Sequence, residues 1–97
     1  MTETWPASHS LFGQNGELVE LRIPVEPRLL EDLLEALASL DFPVNPELFH
    51  HPGVVYVEFP AYAGHVEAVR NLLRKSGFDP ESLNVFGILE YQVTANG

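Results

Sequence analysis

Apolar and polar residues alternate in the stretch that begins near residue 17, and apolar residues at helical spacing follow it. Val19 and Leu21 point one way while their neighbours point the other, which predicts a strand with one apolar face. Pro24 is expected to end this strand, and Pro27 suits the first turn of a helix. A leucine stripe then predicts a helix over about 27–40; its members are Leu29, Leu30, Leu33, Leu34, Leu37 and Leu40.

The same pattern occurs a second time, 36 residues later and without a gap, so that residues 19–42 align with residues 55–78. The second copy predicts a strand over 54–59, a break at Pro60 and a helix over about 62–76. Gly77 supplies the left-handed residue that commonly follows a helix end. Each copy is therefore a strand, a proline and an amphipathic helix.

The remaining segments complete the order of elements. Residues 42–50 are extended but contain two prolines, which predicts an edge strand, and His51-Pro52-Gly53 predicts a tight turn after it. A last strand is expected over 84–93. Residues 1–16 show no sustained period and are interpreted as an N-terminal arm, and residues 17–97 as one domain.

The order βαββαβ predicts an α+β domain of the ferredoxin-like plait, with a four-stranded antiparallel sheet ordered 4-1-3-2 and both helices on one face. The helices are then antiparallel, with the basic end of the second near the acidic start of the first. We expect the cations Arg70, Arg74 and Lys75 to pair with that acidic turn.

Composition narrows the classes of function. The chain has 97 residues, no cysteine and a formal charge of −9, so thiolate chemistry is excluded and phosphate backbones are repelled. We therefore expect no nucleic-acid partner. No apolar run reaches the ~20 residues of a membrane helix, and the first residues lack the pattern of a signal peptide. These features predict a cytoplasmic protein with no membrane contact.

The plait leaves one sheet face without helices, and alternation makes that face half apolar and half charged. Such a face favours a homodimer or a bound ligand, and the alternative is that its charged residues are solvated and pair across strands. The expected interface residues are Leu18, Val54, Tyr56, Phe86 and Ile88. The charged residues of this face are Glu20, Arg22, Glu58 and Glu90.

The four histidines do not form a metal-binding pattern. His50 and His51 are adjacent in a strand and so point to opposite faces, and no H-x-x-x-H spacing exists. His51 with Asp79 or Glu81 is a conceivable acid–base pair at one end of the sheet, but the pattern is not specific. We assign no metal, no cofactor and no catalytic residue.

Residues 18–93 resemble ACT-type regulatory modules. LRIPVEPRLLEDLLEALASLDFPV is similar to that family's first strand, helix and second strand, and VVYVEFPAYAGHVEAVRNLLRKSGF to its third strand and second helix. The resemblance implies an oligomeric, non-catalytic module with a ligand site in the loop 24–28. The family has a glycine in that loop, where this chain has Pro27-Arg28.

Two hypotheses of function follow. The first is a small binding or regulatory module, acting as a homo-oligomer and sensing a small effector. The second is a small dimeric α+β-barrel enzyme with a pocket on the open sheet face. The candidate ligand-binding residues are Glu26, Arg28, His51, Tyr56 and Glu58.

Overall fold

The computed structural model describes residues 16–87. The predicted arm before residue 16, Ile88, Glu90 and the end of the last predicted strand lie outside it. The elements are β1 (Leu18–Val25), α1 (Leu30–Ala38), β2 (Glu47–His51), β3 (Val54–Tyr62), α2 (Val66–Lys75) and β4 (Asn84–Gly87). None of the described helices is long and apolar enough to cross a membrane.

The four strands form one antiparallel sheet in the order β2-β3-β1-β4. Read from the opposite edge, this is the order 4-1-3-2. The central pair is β1 with β3, whose ladder runs from Leu18 opposite Tyr62 to Val25 opposite Val55. The α+β class, the four-stranded antiparallel sheet and the two helices are as predicted from the sequence.

The core lies between the sheet and the two helices. Alternate residues of β1 and β3 are buried, and α1 and α2 each contribute one apolar stripe to the same cluster. This is the arrangement that the two-residue and helical periods require. The buried apolar residues are Val19, Leu21, Ile23, Val25, Leu33, Leu37, Val55, Val57, Phe59, Ala61, Val66, Val69, Leu73 and Leu83.

Pro24 and Pro60 do not end their strands, which corrects the prediction. The backbone N–H of Ala63 donates to the carbonyl of Glu17, so residues 17 and 63 form a hydrogen-bonded pair at the end of the β1–β3 ladder. Hydrogen-bonded and non-hydrogen-bonded pairs alternate along antiparallel strands. Both prolines therefore occupy non-hydrogen-bonded positions in this ladder, where their missing N–H costs no bond to the opposite strand.

On the other side of each proline the neighbouring strand has already ended. β4 pairs with β1 no further than Arg22, and β2 pairs with β3 no further than Glu58. The two prolines thus sit where neither ladder needs a donor. This position lets β1 continue to Val25 and β3 to Tyr62, beyond the limits that the sequence predicted.

The helices are shorter than predicted because each begins with a separate 3₁₀ turn. The first turn spans Pro27–Leu29 and the second Ala63–His65, and the α-helical hydrogen bonds follow them. Strand β2 is also shorter than the predicted 42–50. It begins at Glu47, so Pro43 and Pro46 precede the strand.

The expected ion pairs between the two helices do not form among the described residues. Arg70 instead donates to Glu67 of its own helix at 2.8 Å, and Arg74 donates to the side-chain oxygen of Asn71 at 2.7 Å. Partners three residues apart on one helix are already adjacent, so these bonds need no particular helix packing. Two of the three cations therefore find side-chain partners within α2 itself.

The C-terminus of α2 has the predicted glycine. The N–H of Phe78 donates to the carbonyl of Leu73 at 2.8 Å and that of Gly77 to the carbonyl of Arg74 at 3.3 Å, which is the Schellman pattern. Gly77 has φ 86°, a conformation that a Cβ disfavours. Phe78 then packs against the core cluster.

We predict that Gly77→Ala lowers the free energy of unfolding by about 1–2 kcal/mol, because the left-handed conformation strains a residue with a Cβ. No heavy atom lies within 4 Å of the added Cβ, so a clash does not contribute. Chemical denaturation measures the change. Gly77→Asn is the matched control, and it should cost less because asparagine tolerates this conformation. Equal losses in the two variants would contradict the explanation.

Candidate functional site

The open sheet face, on the side away from the helices, carries the candidate site. Directly opposite residues share a face, so the three ladders define its members. β2 adds residues to this face that the sequence analysis did not include. The members that bear on the site are Glu20, Arg22, Glu47, Phe49, His51, Tyr56, Glu58 and Phe86.

An ion pair lies at the centre of this face. Arg22 Nε donates to Glu58 Oε2 at 2.6 Å, and Glu58 is only 4% exposed although it is on the side of the sheet opposite α1 and α2. The Arg22 side chain is 35% exposed. A charge-assisted hydrogen bond to a buried carboxylate is among the stronger polar interactions in proteins. Arg22 and Glu58 therefore pair across the strands, as expected if the charged residues of the open face bind one another.

The same two residues mark the internal symmetry of the fold. The repeat equates Arg22 with Glu58, 36 positions later, and the ladder places them directly opposite each other. The axis that relates the two strand–helix units therefore passes between them. Identical charged residues at these positions would face each other as like charges, which destabilises a sheet. In this chain the two positions carry opposite charges, and the residues form an ion pair.

Two aromatic rings hold the guanidinium group of Arg22. Its Cζ lies 5.4 Å from the ring centroid of Tyr56 and 5.1 Å from that of Phe86, both within cation–π range. Within residues 16–87 the one hydrogen bond that the side chain of Arg22 donates comes from Nε. Its Nη groups are thus held in place by packing while their donors remain available to a ligand.

A groove of about 370 Å³ lies beside this pair, towards β2. It is lined by Arg22, Phe49, His51, Tyr56 and Glu58. The rings of His51 and Tyr56 meet edge to face, with centroids 5.3 Å apart. Small-molecule sites typically have volumes of about 300–1,000 Å³ and combine apolar walls with a few polar groups. The groove has that size, whereas its lining is about as polar as it is apolar and it is open to solvent.

Glu20 is the neighbour of this pair on β1. Partial burial raises the pKa of its carboxyl above the ordinary value, and the negative charges of Glu58 and Glu47 raise it further. The positive charge of Arg22 acts in the opposite direction. The open face therefore carries more negative charge than its one arginine balances.

The structure brings together three of the five predicted ligand-binding residues. His51, Tyr56 and Glu58 line the groove, whereas Glu26 and Arg28 do not. Arg28 Nε instead donates to Glu26 Oε1 at 2.9 Å, and both side chains are largely exposed, at 76% and 60%. These two residues form a surface ion pair in the turn after β1.

Arg22 and Phe49 line the groove but were not among the predicted ligand-binding residues. Arg22 was placed on the open face by alternation, so its position was available from the sequence. Phe49 was not, because its side of the sheet depends on the register of β2 against β3. The turn Pro52-Gly53 joins His51 directly to Val54 and sets that register.

The predicted interface residues share the open face and are half-buried within the chain. They are Leu18, Val54, Tyr56 and Phe86, and the fifth, Ile88, lies outside the described residues. Tyr56 and Phe86 already contact Arg22. This part of the face is thus covered in part by its own side chains.

The two adjacent histidines lie on opposite faces, as alternation predicted. His51 is opposite Val54 on the open face, and His50 is opposite Val55 on the helix side. His65 stacks on Phe42 with centroids 4.0 Å apart. Across residues 16–87 no three histidine or acidic side chains are grouped as metal ligands would be.

We predict a coupling energy of about 1.5–3 kcal/mol between Arg22 and Glu58, the usual range for hydrogen bonds to charged groups. Urea denaturation of Arg22→Met, Glu58→Gln and the double variant measures it as a double-mutant cycle. The matched control is the cycle for Arg28→Met and Glu26→Gln, an exposed pair for which less than about 1 kcal/mol is expected. Similar coupling in both cycles would contradict the importance of burial.

We predict that Glu20→Gln stabilises the protein at neutral pH. A raised pKa in the folded state means that the folded protein binds the proton more tightly than the unfolded chain, so stability falls as pH rises through this window. Glutamine does not ionise, so the variant does not lose this stability as the pH rises. The gain in melting temperature should shrink as the pH falls to the ordinary carboxyl range. Glu35→Gln, an exposed change of equal charge on α1, controls for net charge.

Comparison of this chain with protein-family models, with curated proteins and with solved structures found no match.

Proposed function

We propose that this protein is a small, non-catalytic binding module of the ferredoxin-like type that takes a small organic ligand in the groove on its open sheet face. The observation that carries the proposal is the groove of about 370 Å³ beside an arginine held by two rings. A group fixed before the ligand arrives loses little entropy on binding, which favours affinity.

The lining of the groove limits the kind of ligand. Phe49 and Tyr56 offer aromatic surface, the Nη groups of Arg22 offer donors, and the imidazole of His51 meets the ring of Tyr56 edge to face. A planar organic molecule with a hydrogen-bond acceptor matches these walls. The buried carboxylate of Glu58 and the negative charges nearby favour a ligand with little net negative charge.

We also propose that the module acts as a homo-oligomer, in keeping with its resemblance to ACT-type regulatory modules. The half-apolar open face supports this part of the proposal, as does the general frequency of two-fold assemblies. A regulatory role would follow if the ligand changed the association of the subunits, since a ligand shifts an equilibrium only by its differential affinity for the two states.

The alternative function is a small enzyme of the dimeric α+β-barrel type. The volume of the groove supports it, because the groove exceeds the ~300 Å³ that a small substrate needs. The state of its carboxylate favours binding instead, since Glu58 is engaged by Arg22 at 2.6 Å. His51 and Tyr56 contact each other through their rings, an arrangement that positions neither as a proton donor to the other.

We predict that a thermal-shift screen of amino acids, nucleotides and neutral planar heterocycles yields stabilising ligands. A ligand at 100 times its Kd contributes about 2.7 kcal/mol. Phe49→Ala and His51→Ala should reduce the shift, because both residues line the groove. His50→Ala is the matched control, since it removes the adjacent histidine from the opposite face.

Two outcomes would contradict the proposed site. One is a screen in which no compound raises the melting temperature of the wild-type protein. The other is a ligand whose shift falls equally in His50→Ala and His51→Ala. Turnover of a stabilising compound, followed by chromatography of the mixture, would favour the enzyme instead.

A further inference from the structure

Among residues 16–87, no strand pairs with the outer edge of β2. It is the outermost strand of the described sheet on that side, and all five of its residues are exposed. Leu48 and Phe49 are large apolar residues with 36% and 39% exposure. Exposed edges of this kind pair with other strands unless charged residues or prolines block them.

The direction of each backbone group along β2 follows from the ladders. Residues 55, 57, 59 and 61 of β3 bond to β1, so Val54, Tyr56 and Glu58 direct their backbone groups to β2. Their partners are His51, Phe49 and Glu47. The backbone groups of Leu48 and His50 therefore point outward, away from the sheet.

Prolines stand at the next outward positions on both sides. Pro46 and Pro52 flank the strand and have no N–H to donate. The free edge thus has two donors, those of Leu48 and His50, at its centre. An edge bounded in this way accommodates a short, defined pairing and resists longer ones.

We propose that two copies of this chain pair through β2, antiparallel and about a two-fold axis at Phe49, so that their sheets become one. In this register Leu48 is opposite the partner's His50, and all four outward N–H groups find a carbonyl. Pro46 is opposite the partner's Pro52, where neither chain has a donor. A shift of two residues would place Leu48 or His50 opposite a proline, which has no N–H, and would leave the carbonyl of that residue without a donor.

The side chains are complementary in the same register. Phe49 lies opposite the partner's Phe49 on the open face, at a non-hydrogen-bonded position where side chains approach closely. Glu47 lies opposite the partner's His51 on that face, and Leu48 opposite the partner's His50 on the other. The sequence Glu-Leu-Phe-His-His is thus matched to itself when reversed, with acid against imidazole and ring against ring.

The pairing also completes the groove. Phe49 and His51 form the wall of the groove on the side of β2. Beyond β2 the described sheet has no further strand. The partner's Phe49 and the partner's Glu47 would extend this wall, and two grooves would flank the axis. This inference rests on the homo-oligomer in the proposed function and names its surface and register.

The interface is short, so association should be reversible. Stable interfaces usually bury more than about 1,200 Å², and five residues of an edge strand supply less. We expect sedimentation equilibrium of the full chain to show a monomer–dimer equilibrium that depends on concentration. His50→Pro should weaken it by about tenfold to a hundredfold, because the dimer loses two backbone hydrogen bonds.

His50→Pro leaves the ladder with β3 intact, since the N–H that it removes points outward. Phe49→Lys is a second variant, and it should abolish the dimer by placing two cations opposite each other. Val85→Lys is the control, because it changes an exposed apolar residue of β4, at the other edge of the described sheet. Circular dichroism checks that each variant is folded.

The outcomes separate this inference from the proposed function. A dimer that survives both β2 variants, or that dissociates in Val85→Lys alone, overturns the edge pairing and leaves the homo-oligomer standing. A monomer at every concentration overturns both. Ligand binding is read separately, because His50→Pro leaves every residue that lines the groove unchanged.

Discussion

The antiparallel pairing of β1 with β3 is the interaction on which the rest of this structure depends. It joins the two repeated units and sets Arg22 opposite Glu58. It also places Pro24 and Pro60 at positions where the ladder requires no backbone N–H donor. Because side chains alternate strictly along a strand, a shift of one residue would exchange the core face for the open face. The core, the central ion pair and the groove all follow from this register.

The open face has an ion pair at its centre, with aromatic and further acidic side chains around it. A carboxylate that is 4% exposed is held there by a guanidinium group, which two aromatic rings hold in turn. Breaking such a pair by removing one partner is costly, because a buried charge loses its counter-charge. This cluster therefore forms one wall of the groove.

The two repeated units differ in the residues that they place on the open face. The two units are equivalent in the core, where apolar residues match at an offset of 36, but they differ in the residues that point outward. Those differences include Arg22 against Glu58 and Glu20 against Tyr56. A symmetric face would carry like charges at its axis, whereas the actual one carries an ion pair with a groove on one side only. The asymmetry of the outward residues is thus what produces a site.

The sequence alone was enough for the α+β class, the number and order of the elements, the open face and the glycine that ends α2. These depend on local periods and turn residues, which each segment carries by itself. Tertiary structure decided the rest: Pro24 and Pro60 lie inside strands because their neighbours end first, and Phe49 enters the groove because the turn after His51 sets the register of β2. The burial of Glu58 and the separation of Glu26 and Arg28 from the groove depend on contacts between distant segments, which no local pattern encodes.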